Sequence, residues 1–396
     1  MTHSGSGAHA RIDRCPVCGS VEASHLFAVA KVPIHPFCPP AALGIEPGFG
    51  ELDIAACDGC GHIYNSAFDT ARVDDLYAAS VLTNTPVSES MIAGLESTAD
   101  YILARAPKNP IVADVGGGTG REVHLVEPSR ALNPADFAGT GVTLHQSMFP
   151  APALGGLLFD CIVSRQVIEH IPEPLGFLAA LRSRLKDDGV AYIECPSAEY
   201  IESTNSIVDF HYPHVQYYRH AAMATLLARA GFEIIETTDI KDGHDRGVLL
   251  KAARPRPEAT ATRIAAGDLA ERLARRRKLG AEKLAALGGG AIALYGANAY
   301  SQALLGLYPK GARYAIMFDD TPMYEGQRAY GPGIDIAIRR PATDAFAGIS
   351  AVVVTSYLHD VVISRKVRDF GFKGPIYSVR ADATAGTGDT PPSLFA

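Results

Sequence analysis

Residues 111–120 read Ile-Val-Ala-Asp-Val-Gly-Gly-Gly-Thr-Gly. The first five form an apolar run broken by one acid, the pattern of a short strand buried on both faces. Glycine then occupies 116, 117, 118 and 120. It adopts positive φ and carries no Cβ, so a ligand can come close to the backbone. A strand running into such a turn marks the carboxyl edge of an open α/β sheet, where ligands bind. The glycines do not follow the dinucleotide spacing G-x-G-x-x-G, and no Gly-Lys-Ser/Thr follows to make a P-loop.

Asp-Val-Gly-Gly-Gly-Thr-Gly resembles the first motif of the class I S-adenosylmethionine-dependent methyltransferases. That resemblance implies cofactor contacts from Asp114, Gly116, Gly117 and Gly118, and a ribose-binding acid at the end of the next strand. Glu127, in His-Leu-Val-Glu-Pro-Ser, is that acid, although only residues 121–126 separate it from Gly120. Either the first helix is missing, or residues 121–132 are the helix and the acid lies elsewhere.

The downstream chain keeps the pattern. Residues 141–144 and 159–164 read as strands, and the second runs into Arg-Gln-Val-Ile-Glu-His-Ile-Pro (165–172), which is similar to the post-strand loop of the class. Gln166 is the cofactor contact this implies. A helix over 175–185, a turn Lys186–Gly189, a strand over 190–194, a helix over 221–230 and a strand from Gly231 follow.

Upstream, Cys15-Pro-Val-Cys18 and Cys57-Asp-Gly-Cys60 are each followed by glycine. Two such knuckles supply four thiolates, the tetrahedral set of a closed structural zinc site. Cys38 lies between them. His62 reads as structural. Seven cysteines, four of them in CxxC pairs, fit a reducing compartment and metal rather than a disulfide framework, so a cytoplasmic location is expected.

At 396 residues the chain exceeds one ordinary core. Net charge of −7 gives no global field for nucleic acid or anionic membrane. No apolar run approaches the length of a membrane span, and Met1–Ala10 has no signal-peptide core. A linker over 253–262 and a charged helix over 261–287 precede a strand-to-turn unit over 291–299, a strand ending in acids over 315–320 and a third over 351–356. Strand and helix alternating imply a second parallel sheet. The expected organisation is α/β: a zinc-binding head (11–68), a Rossmann-like methyltransferase sheet (69–252), a second Rossmann-like domain (253–382) and a disordered tail (383–396).

Residues 209–220 hold three histidines and three tyrosines. Histidine titrates near neutrality and suits proton abstraction; packing of the loop and metal binding by His211 and His214 are the competing readings.

The order of these units, with Tyr-Gly-Ala (295–297), Asp319-Asp320 and Gly-Pro-Gly (331–333) in the last part, resembles the sugar C-methyltransferases. These act on nucleotide-linked 4-keto-deoxysugars. The resemblance implies S-adenosylmethionine as cofactor, Zn²⁺ in the head, a small nucleotide-linked sugar as partner, and an enolate mechanism. It places the base on His214, with His170, Tyr217 and Tyr77 assisting. Pro213 stands where the family carries glutamate.

Overall fold

The computed structural model describes residues 11–35, 48–72, 89–116, 123–129, 132–257, 259, 266–380 and 390–396. Tyr77, Gly117, Gly118 and Cys38 lie outside the described residues.

In the head, β1 (Ala23–Pro33), β2 (Phe49–Cys57) and β3 (Ile63–Asn65) pair antiparallel. The knuckles sit where β2 hands over to β3 and at the approach to β1. Next come α1 (Glu89–Leu103), β4 (Val112–Val115), β5 (His124–Val126), β6 (Thr143–His145), β7 (Phe159–Arg165), α2 (Pro174–Arg184) and β8 (Leu185–Pro196). They are followed by α3 (Ala198–Thr204), β9 (Gln216–Tyr217), α4 (His220–Ala230), β10 (Phe232–Ile240) and β11 (Asp245–Ala252). Seven of these strands form one sheet in the order β10-β11-β8-β7-β4-β5-β6. Neighbours from β8 to β6 run parallel, and β11 is antiparallel to both β8 and β10. The sheet switches direction of winding at β4, so the edge beyond Val115 is the crevice where such a fold binds ligand.

The remaining elements are α5 (Leu269–Ala286), β12 (Ala291–Tyr295), α6 (Ala299–Leu307), β13 (Arg313–Phe318), β14 (Arg328–Gly331), β15 (Ile334–Arg339), β16 (Ile349–Val354), α7 (Asp360–Asp369) and β17 (Ile376–Ser378). Their sheet has the order β14-β15-β13-β12-β16-β17, parallel apart from the β14–β15 hairpin. Asn298 caps α6 by accepting from Ser301 N at 3.0 Å, which starts the helix immediately after the β12 turn.

The fourth strand of the head sheet is not a head residue in sequence. β9 pairs with β3, Ile63 opposite Tyr217 and Tyr64 opposite Gln216. The buried His62 ring donates to Gln216 Oε1 at 2.6 Å, and Asn65 N donates to Val215 O at 2.9 Å. Leu52, Ile54, Phe210 and Tyr217 share one core with Leu304, Leu305 and Phe395, so the head is wedged between the two larger sheets.

Three expectations need correction. Lys186–Gly189 is not a turn between helix and strand: β8 runs unbroken from Leu185, held there by Lys186 bonding both oxygens of Asp160 on β7 at 2.8 and 2.9 Å. The charged helix begins at Leu269, later than expected. The tail expected to be disordered over 383–396 is ordered at 390–396. Leu394 and Phe395 are buried, Leu394 N bonds Ser378 O at 2.8 Å, and Lys283 and Arg276 on α5 donate to Ser393 O and Phe395 O. The segment is polar on average, but its two apolar side chains reach the core and its carbonyls find cations.

Candidate functional site

The strand that opens the chain's decisive motif is β4. Gly116 follows it with φ +76°, and a Cβ there would lie 2.3 Å from Val167 Cγ2, so glycine is required both by the backbone and by the close approach of the β7 loop. β5 runs directly into Glu127: residues 124–126 are strand rather than helix, and Glu127 stands at a strand end beside Gly116. Gly116 N bonds Val126 O at 2.9 Å.

Glu127 is buried, and Asp114 is half-buried with its Oδ1 shut off from solvent. Desolvation is the main cause of a rise to about 7 in each, against ordinary values of 3.8 and 4.5. Glu127 accepts from Ser129 N at 3.0 Å, while Asp114 Oδ1 is buried with no hydrogen-bond partner. An acid raised by burial binds its proton more tightly folded than unfolded. Its stability contribution is complete below the unfolded value and lost as pH rises through the folded one. The ligand-free protein should therefore melt progressively lower as pH climbs between about 4 and about 7. Asp114→Asn should flatten that slope in a melting series, and an unchanged slope would contradict this origin.

Gln166 has φ +56°, a left-handed conformation unusual for its type. Its side chain donates to Asp245 Oδ2 at 3.0 Å and its backbone N–H to Glu194 O at 2.8 Å. Arg165 forks onto Glu194 through two 2.9 Å bonds. Next to this pair, His244 is gripped by Asp245 at 2.6 Å through Nδ1 and by Asp209 at 2.9 Å through Nε2, with Tyr300 Oη 2.9 Å from Nε2. Burial pulls His244 down, but the two carboxylates outweigh it and hold it up to about 10. The site thus contains a fixed imidazolium, and Tyr300 brings the third sheet's α6 to its rim.

The histidine loop lies at the same edge. The His170 and His214 rings meet edge to face, centroids 4.8 Å apart, and His211 lies 3.8 Å from His214. His170 Nδ1 donates to Pro213 O at 2.8 Å, which leaves Nε2 as an acceptor. Burial pushes His170 down to about 4, His211 to about 3 and His214 well below its ordinary range, so all three are neutral acceptors at pH 7. Tyr217, 6.2 Å from His214 between centroids, is buried in the head core. Glu169 reaches His170 and His214 from behind; no spacing rule singled it out. Nor did one single out His244 or Asp209, though the turn Asp-Gly-His-Asp (242–245) put a histidine between acids.

In the head, Cys15 Sγ lies 3.6 Å from Cys60 Sγ and Cys18 Sγ 3.5 Å from Cys57 Sγ. All four sulfurs lie within 4.8 Å of one another. Tetrahedral zinc with bonds of about 2.3 Å separates its sulfurs by roughly 3.8 Å, so the cluster is compatible with a zinc site.

Residues 89–237 match the family model described as a methyltransferase domain. No curated protein matches the chain. Among solved structures it is similar to the CcbJ methyltransferase from Streptomyces caelestis, at 14% identity and TM-score 0.32, over 39% of this chain and 93% of that one. It is similar to the 1,6-didemethyltoxoflavin-N1-methyltransferase of Burkholderia thailandensis at 17% and 0.33, over 41% and 79%. It is also similar to an S-adenosylmethionine-dependent methyltransferase from Clostridium acetobutylicum at 15% and 0.32, over 40% and 89%. The middle of the chain thus matches a methyltransferase domain and is built on a Rossmann-like, mostly parallel sheet. No helix of the described residues is long and apolar enough to cross a membrane.

Proposed function

We propose that the protein is a C-methyltransferase that alkylates the carbon beside the ketone of a nucleotide-linked keto-deoxysugar. The observation that carries the reading is the pair of neutral imidazoles, His170 and His214, set in contact at the carboxyl edge of the methyltransferase sheet. S-adenosylmethionine supplies an electrophilic methyl group when bound. Gly116 and Glu127 are the residues that would hold it, one by leaving space and one by accepting from ribose hydroxyls; Asp114 lies at the same turn. His214 takes the acidic proton, leaving the electron pair on carbon as an enolate, and donors at the keto oxygen hold the developing charge.

The four cysteines would hold a zinc ion of purely structural kind, since no coordination position is left open. A small-molecule acceptor and a cytoplasmic setting belong to this same reading.

The direct test incubates the full chain with a nucleoside-diphosphate-linked 4-keto-6-deoxyhexose and methyl-¹³C S-adenosylmethionine, then locates the label by NMR. A carbon-bound methyl supports the reading; a label on oxygen or nitrogen replaces it with another methyl transfer. Separately, Gly116→Ala should weaken S-adenosylmethionine binding at least about tenfold, equivalent to about 1.4 kcal/mol. Unchanged affinity in calorimetry would remove this turn from the cofactor site.

A further inference from the structure

Glu169 stands out once the histidines have roles. Among the described residues it is the only carboxyl with both oxygens buried and without a hydrogen-bond partner. It sits in the 3₁₀ turn Ile168–His170 directly after β7, and its carbonyl accepts from Val215 N at 2.8 Å. That bond ties the turn to the loop carrying His214. Its Oε1 lies 3.9 Å from His170 Nε2 and 4.0 Å from His214 Nε2. The carboxyl is 1% exposed and the two imidazoles 19% and 15%, so the acid stands behind the rings.

An unbonded buried carboxyl beside two imidazoles is also a set that could hold a metal ion, and a bound metal is one of the outcomes the test below distinguishes. At 3.9 and 4.0 Å the carboxyl stands just outside hydrogen-bond range of either Nε2.

We propose that Glu169 is the positioning residue of the base, receiving the Nε2–H of His214 when that ring takes the proton of the acceptor carbon. This rests on His214 being the base. The C–H bond breaks, its proton goes to the imidazole and its electron pair stays on carbon. The ring becomes a cation in a site where burial opposes cations. Burial also raises Glu169 well above the ordinary carboxylate range; the neighbouring imidazolium favours its ionised form, and as carboxylate it supplies the counter-charge. No acid immediately before His214 can do so, because that residue is Pro213. The other charged groups facing Glu169 are committed elsewhere: Glu194 to Arg165, and Asp245 to His244, Lys241 and Gln166. His170, whose Nδ1 is held by Pro213 O, and His211 are neutral neighbours.

The test uses the full chain in D₂O with the 4-keto-6-deoxyhexose probe and no cofactor, reading exchange of the C–H beside the ketone by NMR. Glu169→Gln keeps size and shape but cannot carry charge. It should slow exchange by about 10²-fold and move the acid limb of the rate–pH profile to lower pH, because an imidazolium without its counter-charge deprotonates earlier. Glu169→Asp should recover part of the rate. Wild-type exchange with an unmoved limb in Glu169→Gln would overturn the proposal. So would a stoichiometric divalent metal held by the wild type and lost from this variant. If the wild-type chain does not exchange the probe at all, the keto-sugar reading fails instead. Glu169 is then decided by titrating the histidine ring nitrogens by ¹⁵N NMR in both proteins: a lower His214 titration in Glu169→Gln upholds the pairing, and coincident curves end it.

Discussion

Replacing Cys57 by serine should strip stoichiometric zinc from the purified protein and leave the head unfolded. Cys57 ends β2, is 1% exposed, and takes part in the backbone frame of its knuckle: its N–H bonds His62 O at 2.8 Å and its carbonyl accepts from Gly61 N at 2.7 Å. A serine hydroxyl does not become an anionic ligand at neutral pH. Structural zinc in small cysteine sites is worth about 10–16 kcal/mol of apparent binding, comparable with the whole stability of a typical domain, roughly 5–15 kcal/mol. The loss should appear as protein that aggregates or melts far below the wild type, with metal analysis reporting no bound zinc. A Cys57→Ser protein that is folded and metal-replete would show that the four sulfurs are only neighbours. Chelation of the wild type should act in the same direction, slowly, since three of the four sulfurs are buried.

His214→Ala should lower turnover with the keto-sugar probe by at least about 10²-fold, the lower end of what a positioned base contributes. Binding of S-adenosylmethionine should stay near wild type, because His214 belongs to the loop before β9 and not to the Gly116–Glu127 edge. Truncating a largely enclosed ring leaves a space beside His211 and His170, so His214→Gln, closer in volume, serves as the companion variant. Both should fail in C–H exchange as well as in methyl transfer. Wild-type exchange rates in both would take the base away from this residue, and exchange without transfer would place the defect after enolate formation.

The legible parts of this chain were those where local pattern and fold agree. A strand covered on both faces shows as an unbroken apolar run, so β4, β7, β12 and β16 could be read directly, and Gly116 ends β4 in the turn expected of it. Paired CxxC knuckles carry their geometry in their spacing. What escaped was built from distance in sequence. β9 is two residues long and has no pattern of its own; it exists because β3 offers an edge. Glu169 meets His214 across the fold, and Asp209 meets His244 only because the β10–β11 hairpin returns to the sheet. The segment 390–396 defied its composition because two side chains and two cationic helix residues decide its place.

Gln216 and Tyr217 complete the head's sheet while belonging to the chain that carries His214. The cysteine-rich head is therefore not a detachable module. Any graft, swap or truncation at its boundary must bring an edge that fits this two-residue ledge, or the imidazole next to it loses its footing while the Gly116–Glu127 edge, built on other strands, survives intact.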